Sequence, residues 1–253
     1  MKGVVLLVER QLLELTRDRG GVFAVVVTYG LVAAVVAAAG AAAAWLTPGT
    51  ARGDLFAELA GPQDPAGMLG AVFDVANFLA FSQVVGTSAV YGAHAIQHER
   101  AAGTWTHLLA RMSPSTLLGG LSLGAMWLPT ALGTLLFGGT LAVAALVLGS
   151  EGVLERSPWS GAWWVGHLLG IPTWSGAVAA TAAAASAFVR DPRSAQQVAW
   201  LVVFVVVSVV GPMWWSALAS GAWASFGVAV AGAVVWGLAV TAGGRSGFLA
   251  TDE

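Results

Sequence analysis

Six long apolar runs alternate with short polar stretches along the chain, over residues 21–46, 69–95, 117–148, 161–189, 195–215 and 223–242. Each is long enough to cross a bilayer as an α-helix, which takes about 20 residues. The first run, of about 26 residues, exceeds the roughly 7–15 residues of a secretory signal core, so it is expected to be an uncleaved first span. Pro129 is expected to bend span three. The pattern predicts an all-α polytopic membrane protein with six transmembrane helices in one domain covering 1–253.

Two polar interruptions have helical periodicity of their own. Over residues 1–19, Val5, Val8, Leu12 and Leu15 share one side, with Arg10, Glu14, Arg17 and Asp18 on the other. Such a segment is expected to lie in the headgroup plane as an amphipathic interfacial helix. Between spans two and three, residues 97–114 predict a second short amphipathic helix. Trp105, Leu108, Leu109 and Met112 make its apolar side, and Arg100, Thr104, His107 and Arg111 its polar side. Pro114 is expected to end it and turn the chain back to the membrane. The stretch reads as a place that a partner grips.

Composition sharpens this picture. Of 253 residues 57% are hydrophobic and 9% charged, against about 25% charged in a soluble domain, and mean hydropathy is +0.79. The absence of cysteine removes thiolate nucleophiles and cysteine metal sites. Lys2 is the single lysine and has no G-x-x-x-x-G-K-[ST] context, so this sequence contains no P-loop; ATP, if used, must be bound by another chain. With six spans, Lys2, Arg10, Arg17, Arg19, Arg100, Arg111, Arg190, Arg193 and Arg245 fall on the side of the termini, and only Arg52 and Arg156 on the other. That bias predicts cytoplasmic termini and a cytoplasmic 97–114 stretch. Trp45, Trp159, Trp163, Trp164, Trp214, Trp215 and Trp223 cluster near the outer ends and predict an aromatic belt. Gly120-x-x-x-Gly124, Gly166-x-x-x-Gly170, Gly133, Gly138, Gly232 and Gly237 predict close helix packing.

Polar residues within spans are functional candidates by default. Gln83, Thr87, Tyr91 and His94 make one stripe of span two, which would line a translocation path or a dimer interface, or else bond between helices. Asp74 is expected to reach the headgroups, or else to serve a pathway, and His167 to be hydrogen-bonded within the packing. His94 and His98 have ligand spacing with no third ligand at a defined distance, so no metal site is expected. Ser160 and Ser175 stand near His167 in sequence without a nucleophile motif, so the chain is expected not to be an enzyme.

Glu99-Arg100-x-x-Gly103-Thr104-Trp105-x-x-Leu108-Leu109-x-x-x-Ser113-Pro114, followed by Gly119-Gly120, resembles the signature after the second span of type-2 ABC transporter permeases. The leader with Arg17-Asp18-Arg19 is similar to that family's elbow helix. The six spans, the larger outer loop after span one, and Arg190-Asp191-Pro192-x-x-Ala195-Gln196 before span five also fit. The family commonly has an acidic residue where Thr106 stands and a lysine where Leu121 stands.

The resemblance implies a type-2 ABC exporter fold, with 1–19 as elbow helix and 97–114 as coupling helix. It implies that Glu99, Arg100, Gly103, Thr104, Trp105, Leu108 and Leu109 carry contact with an ATPase or its local geometry. The chain itself would bind no cofactor; ATP and Mg would be held by a separate cytoplasmic ABC ATPase, in two copies. A second permease chain, expected to be a copy of the same sequence, and membrane lipid would be the other partners, with spans two and five flanking the path and no nucleic acid involved. The expected function is the permease subunit of an ATP-driven export complex. An alternative keeps the family but transmits the motion to an extracytoplasmic partner at residues 47–68. A less favoured one is an ATP-independent channel or secondary transporter.

Overall fold

The computed structural model describes residues 5–10, 13, 23, 26–31, 33–34, 37–38, 41, 65–148, 154–189, 191–219 and 221–249. All the described elements are helices. They are α1 (Pro65–Ala101), α2 (Trp105–Arg111), α3 (Pro114–Leu148), α4 (Gly161–Val165), a π-turn (Gly166–Gly170), α5 (Ile171–Ala187), α6 (Pro192–Ala219) and α7 (Trp223–Leu249). The α4, π-turn and α5 segments form one crossing. Among the described residues, five crossings are long and apolar enough to span a membrane, over Gly70–Ala101, Pro114–Val147, Gly161–Ala187, Arg193–Met213 and Trp223–Gly243. The chain is a multi-pass helical membrane protein. The described positions of 5–10 and of 26–31 are also helical. Most of the expected elbow and first span, the Arg17-Asp18-Arg19 edge, the loop at 47–64 and Arg190 lie outside the described residues.

The element ends differ from expectation in instructive ways. Span two runs beyond Ala95 to Ala101, because Gln97, His98, Glu99 and Arg100 are good enough helix formers to continue it and nothing interrupts before Gly103. The 97–114 stretch is therefore two helices and a turn, with only Trp105–Arg111 forming the short helix. Pro114 does not end that helix. It opens α3, where a missing N–H costs nothing, and Ser113 caps the same end by accepting the Thr116 N–H at 3.2 Å. At the other end of the chain, α7 continues through Arg245 to Leu249.

Helix α1 is central and touches α3, α5 and α6, while α7 packs mainly on α5. The α1 and α5 backbones run parallel and meet directly: a Cβ at Gly92 would stand 2.5 Å from the Ala179 carbonyl oxygen. Helix α3 runs the opposite way, seating Gly133 on Val84, Gly138 on Trp163 and Gly120 on Leu7. Close van der Waals contact of this kind holds helices together in lipid, where apolar surfaces gain little by leaving the solvent. Tyr29, Phe81, Val84, Val85, Phe137 and Val178 fill the centre. Trp159, Trp164 and Trp223 are exposed near span ends, as a belt requires, but Trp163 is buried and belongs to the core.

Candidate functional site

The long helix α1 stops at a Schellman turn built on Gly103, whose φ of +68° is open to glycine at no steric cost. The Thr104 N–H reaches the Glu99 carbonyl at 3.1 Å and the Gly103 N–H reaches that of Arg100 at 3.0 Å. Helix α2 starts at the next residue. Its end is equally short: the Met112 N–H bonds the Leu108 carbonyl at 2.9 Å, Met112 itself is extended, and α3 begins two residues on. No slack separates α2 from either span.

Side chains fix this corner. Glu99 is only 2% exposed; it accepts a hydrogen bond from the Thr104 hydroxyl and pairs with Arg10 of the N-terminal helix at 3.1 Å. Arg100 donates to the carbonyls of Ala187 at 2.6 Å and Val189 at 3.1 Å, and Gln97 donates to those of Ser186 at 2.9 Å and Val189 at 2.8 Å. These two side chains tie down the C-terminal end of α5 and the residues that follow it, by bonding the carbonyls of Ser186, Ala187 and Val189. The Arg100 guanidinium also lies 5.6 Å from the Trp105 ring centroid, within cation–π range. Trp105 is buried with Leu7, Ile96, Leu117, Leu118 and Leu121, and Leu108, Leu109 and Met112 pack against that cluster.

The expected apolar side of α2 thus faces the protein. Its polar side divides: Arg100 and Thr104 turn inward to make the bonds above, whereas Thr106, His107 and Arg111 are exposed. Gly103 is exposed too, with nothing within 4 Å of where a Cβ would be. Of the two departures from the family pattern, Thr106 lies on the open surface and Leu121 is buried in the core.

A second feature lies along the α1–α6 seam. A cavity of about 520 Å³ is lined by Thr28 near the N-terminus, by Gln83, Thr87 and Tyr91 on α1, and by Gln196 and Trp200 on α6, among others. Three residues of the span-two stripe thus share one apolar-walled space, while His94 is exposed outside it. Thr87 donates to the Gln83 carbonyl at 2.7 Å and the Tyr29 hydroxyl lies 3.5 Å from Thr87 Oγ1.

At the opposite end of the bundle, Asp74 does not point to solvent alone: Arg156 donates to it at 3.0 Å. Asn77 joins the same group, accepting from Trp163 at 2.9 Å and donating to the Arg156 carbonyl at 3.0 Å. His167 is buried in the π-turn with Nδ1 3.0 Å from the Trp163 carbonyl oxygen. Ser160 caps α4 by accepting the Ala162 N–H at 3.2 Å, and Ser175 is buried on α5.

Sequence reasoning passed over Gln97, Arg10 and Asn77 as fixing residues. Gln97 carried a readable signal, an amide at the end of an apolar run and one turn from Arg100. The partner of Arg10 is 89 positions away and had none. Compared with known proteins, the chain matches no family model, no curated protein and no solved structure.

Proposed function

We propose that the chain is the membrane-spanning permease subunit of an ATP-driven exporter of the type-2 ABC class. A separate cytoplasmic ATPase, in two copies, seats on the exposed face of α2, and a second permease chain completes the complex. The termini and the Gly103 corner face the cytoplasm. The observation that carries this reading is the connection of α2 to its neighbours. Its apolar side is packed on α3, its start is the Schellman turn of α1, and Arg100 and Gln97 fasten that turn to the end of α5. A push on Thr106, His107 or Arg111 is therefore delivered to three crossings at once, without a loop to absorb it. The cavity at Gln83, Thr87 and Tyr91 borders the cargo path between α1 and α6.

The test is purification of the intact chain from its native membrane, with ATP hydrolysis and efflux measured together. A P-loop ATPase chain is expected to co-purify, and Gly103→Trp or Glu99→Lys is expected to uncouple hydrolysis from efflux while the chain still reaches the membrane. A complex without an ATPase chain, or efflux unchanged by both substitutions, overturns the proposal.

A further inference from the structure

The crossing that contains α4 and α5 is interrupted by the π-turn at Gly166–Gly170, where the Ile171 N–H reaches back to the Gly166 carbonyl. Pro172 supplies a cause. It has no N–H for the Leu168 carbonyl, and its ring crowds that carbonyl in a regular α-helix. A wider preceding turn relieves the crowding. The Thr173 hydroxyl donates to the Leu169 carbonyl, the last but one of the turn.

A π-turn holds one residue more than an α-turn, so the rotational phase of α4 depends on it. In the observed phase Trp163 is wedged between three elements. Its indole N–H bonds Asn77 of α1 at 2.9 Å, its ring stacks on His167 at 3.6 Å between centroids, and a Cβ at Gly138 of α3 would stand 2.8 Å from it. Asn77 passes the link to the carbonyl of Arg156, whose guanidinium holds Asp74. A single amide thus joins α1, the 154–160 connection and α4. Meanwhile His167 Nε2 is buried without a hydrogen-bond partner among the described residues. This phase leaves a buried polar atom unsatisfied, which narrows the gap to a neighbouring state.

We propose that the π-turn is a hinge with a second, fully α-helical state. In that state α4 turns by roughly 100° and shifts by about 1.5 Å relative to α5, the increments of one residue in an α-helix. Trp163 leaves Asn77, and the 154–160 connection comes away from the end of α1. The glycines at both ends of the turn present no side chain against the rotation. The rest of the crossing stays in place, because Gly92 and Ala179 hold α1 and α5 backbone to backbone. The hinge does not depend on what drives the transition, nor on the function proposed above.

The cysteine-free chain allows spin labels to be placed without removing native thiols. One pair, at Val75 and Gly161, reports the α1 and α4 ends; a second, at Ala101 and Phe188, reports the opposite ends of α1 and α5. All four positions are exposed. Distances are measured by electron resonance on the full chain in lipid nanodiscs. Asn77→Ala is expected to raise the population of a second Val75–Gly161 distance by roughly fivefold, the effect of losing one net hydrogen bond. The Ala101–Phe188 distance should not change. Deleting Leu168 removes the extra residue, so it is expected to give one distance, the unrotated one, and to keep that distance when combined with Asn77→Ala. Pro172→Ala, which restores the missing N–H, is expected to favour the rotated state and serves where the deletion does not fold. One invariant distance in Asn77→Ala and Pro172→Ala overturns the hinge. So does a Leu168 deletion that still opens when Asn77 is replaced.

Discussion

The guanidinium of Arg100, at the end of α1, donates to the carbonyl of Ala187, the last residue of α5, at 2.6 Å. Two crossings that pack backbone to backbone at Gly92 are thereby also joined at their ends by a charge-assisted bond. Arg100→Met would keep much of the apolar stem but abandon the Ala187 carbonyl and one bond to Val189. The expected loss is about 1.5–3 kcal/mol, the range for hydrogen bonds to a charged group. Arg100→Lys should recover only part of it, since a single ammonium cannot reproduce the planar fork that spans both carbonyls. Thermal unfolding in detergent measures both.

Gly103 separates conformational strain from steric clash. Its φ is +68° and no heavy atom lies within 4 Å of the point a Cβ would occupy, so a side chain there meets only its own backbone. Gly103→Ala is expected to cost about 1–2 kcal/mol, Gly103→Asn less, and Gly103→Val more, because a β-branched residue is least tolerant of the left-handed region. Where α2 transmits motion, ATP-coupled efflux should fall in the same order. An alanine variant as stable as the parent would mean that the turn is not held at positive φ.

The helices and the corner were legible in the sequence to different degrees. Five crossings declare themselves as apolar runs longer than the bilayer is thick, so tertiary context could not disguise them. The apolar side of α2 was equally readable, because Trp105, Leu108, Leu109 and Met112 follow the helical repeat and pack as it requires. The polar side was not. Helical projection continued Arg100 and Thr104 onto α2, whereas the positive φ at Gly103 breaks the phase and returns both side chains to α1 and α5. A period taken along one chain contains no term for a turn, nor for a carbonyl some 87 residues away. Trp163 failed for a related reason: position near a span end places a residue in depth but not in azimuth, and Asn77 draws this one inward. The π-turn left only Pro172 as a trace.

Glu99 and Arg10 form an asymmetric pair, with side-chain exposures of 3% and 39%. Removing the cation from a buried carboxylate is worse than removing both charges. Arg10→Met is therefore expected to destabilise more than Arg10→Met with Glu99→Gln, since the glutamine can still accept from Thr104. The single-variant cost should fall between the under ~1 kcal/mol of a surface pair and the ~3–5 kcal/mol of a buried one, as Arg10 is partly solvated. A double-mutant cycle read by denaturation gives the coupling directly. Additive effects would show that Arg10 does not support Glu99.

Gly92 and Gly119 make a contrasting pair of tests. A methyl group at Gly92 would meet the Ala179 carbonyl oxygen at 2.5 Å, and backbone cannot swing aside as a side chain can. Gly92→Ala is expected to part α1 from α5 at a cost of about 1–3 kcal/mol, the usual range for overpacking. Gly119, in α3, has nothing within 4 Å of its Cβ position. Gly119→Ala should instead stabilise by about 0.5–1 kcal/mol through reduced backbone entropy. Unfolding midpoints that move in the same direction for both would contradict the close approach of α1 and α5.

Asp191 gives the pH dependence a defined sign. Its carboxylate accepts the Ser194 N–H at 2.9 Å and the Ser194 hydroxyl at 3.0 Å, capping α6, which begins at Pro192. Chiefly the Ser194 N–H, then its hydroxyl, holds the carboxyl below its ordinary value of 3.8. A group depressed on folding contributes fully above its unfolded value and loses that contribution as pH falls through the folded one. The cap is therefore expected to be intact at neutral pH and to weaken only in acid below 3.8. Asp191→Ala should reduce hydrogen-exchange protection of Ser194 and Ala195 at pH 7, and the difference from the parent should shrink once Asp191 is protonated. Asp191→Asn, also a good capping residue, should keep most of the protection and remove its dependence on acid. Protection in the parent that is already lost at pH 5 would contradict the carboxylate cap.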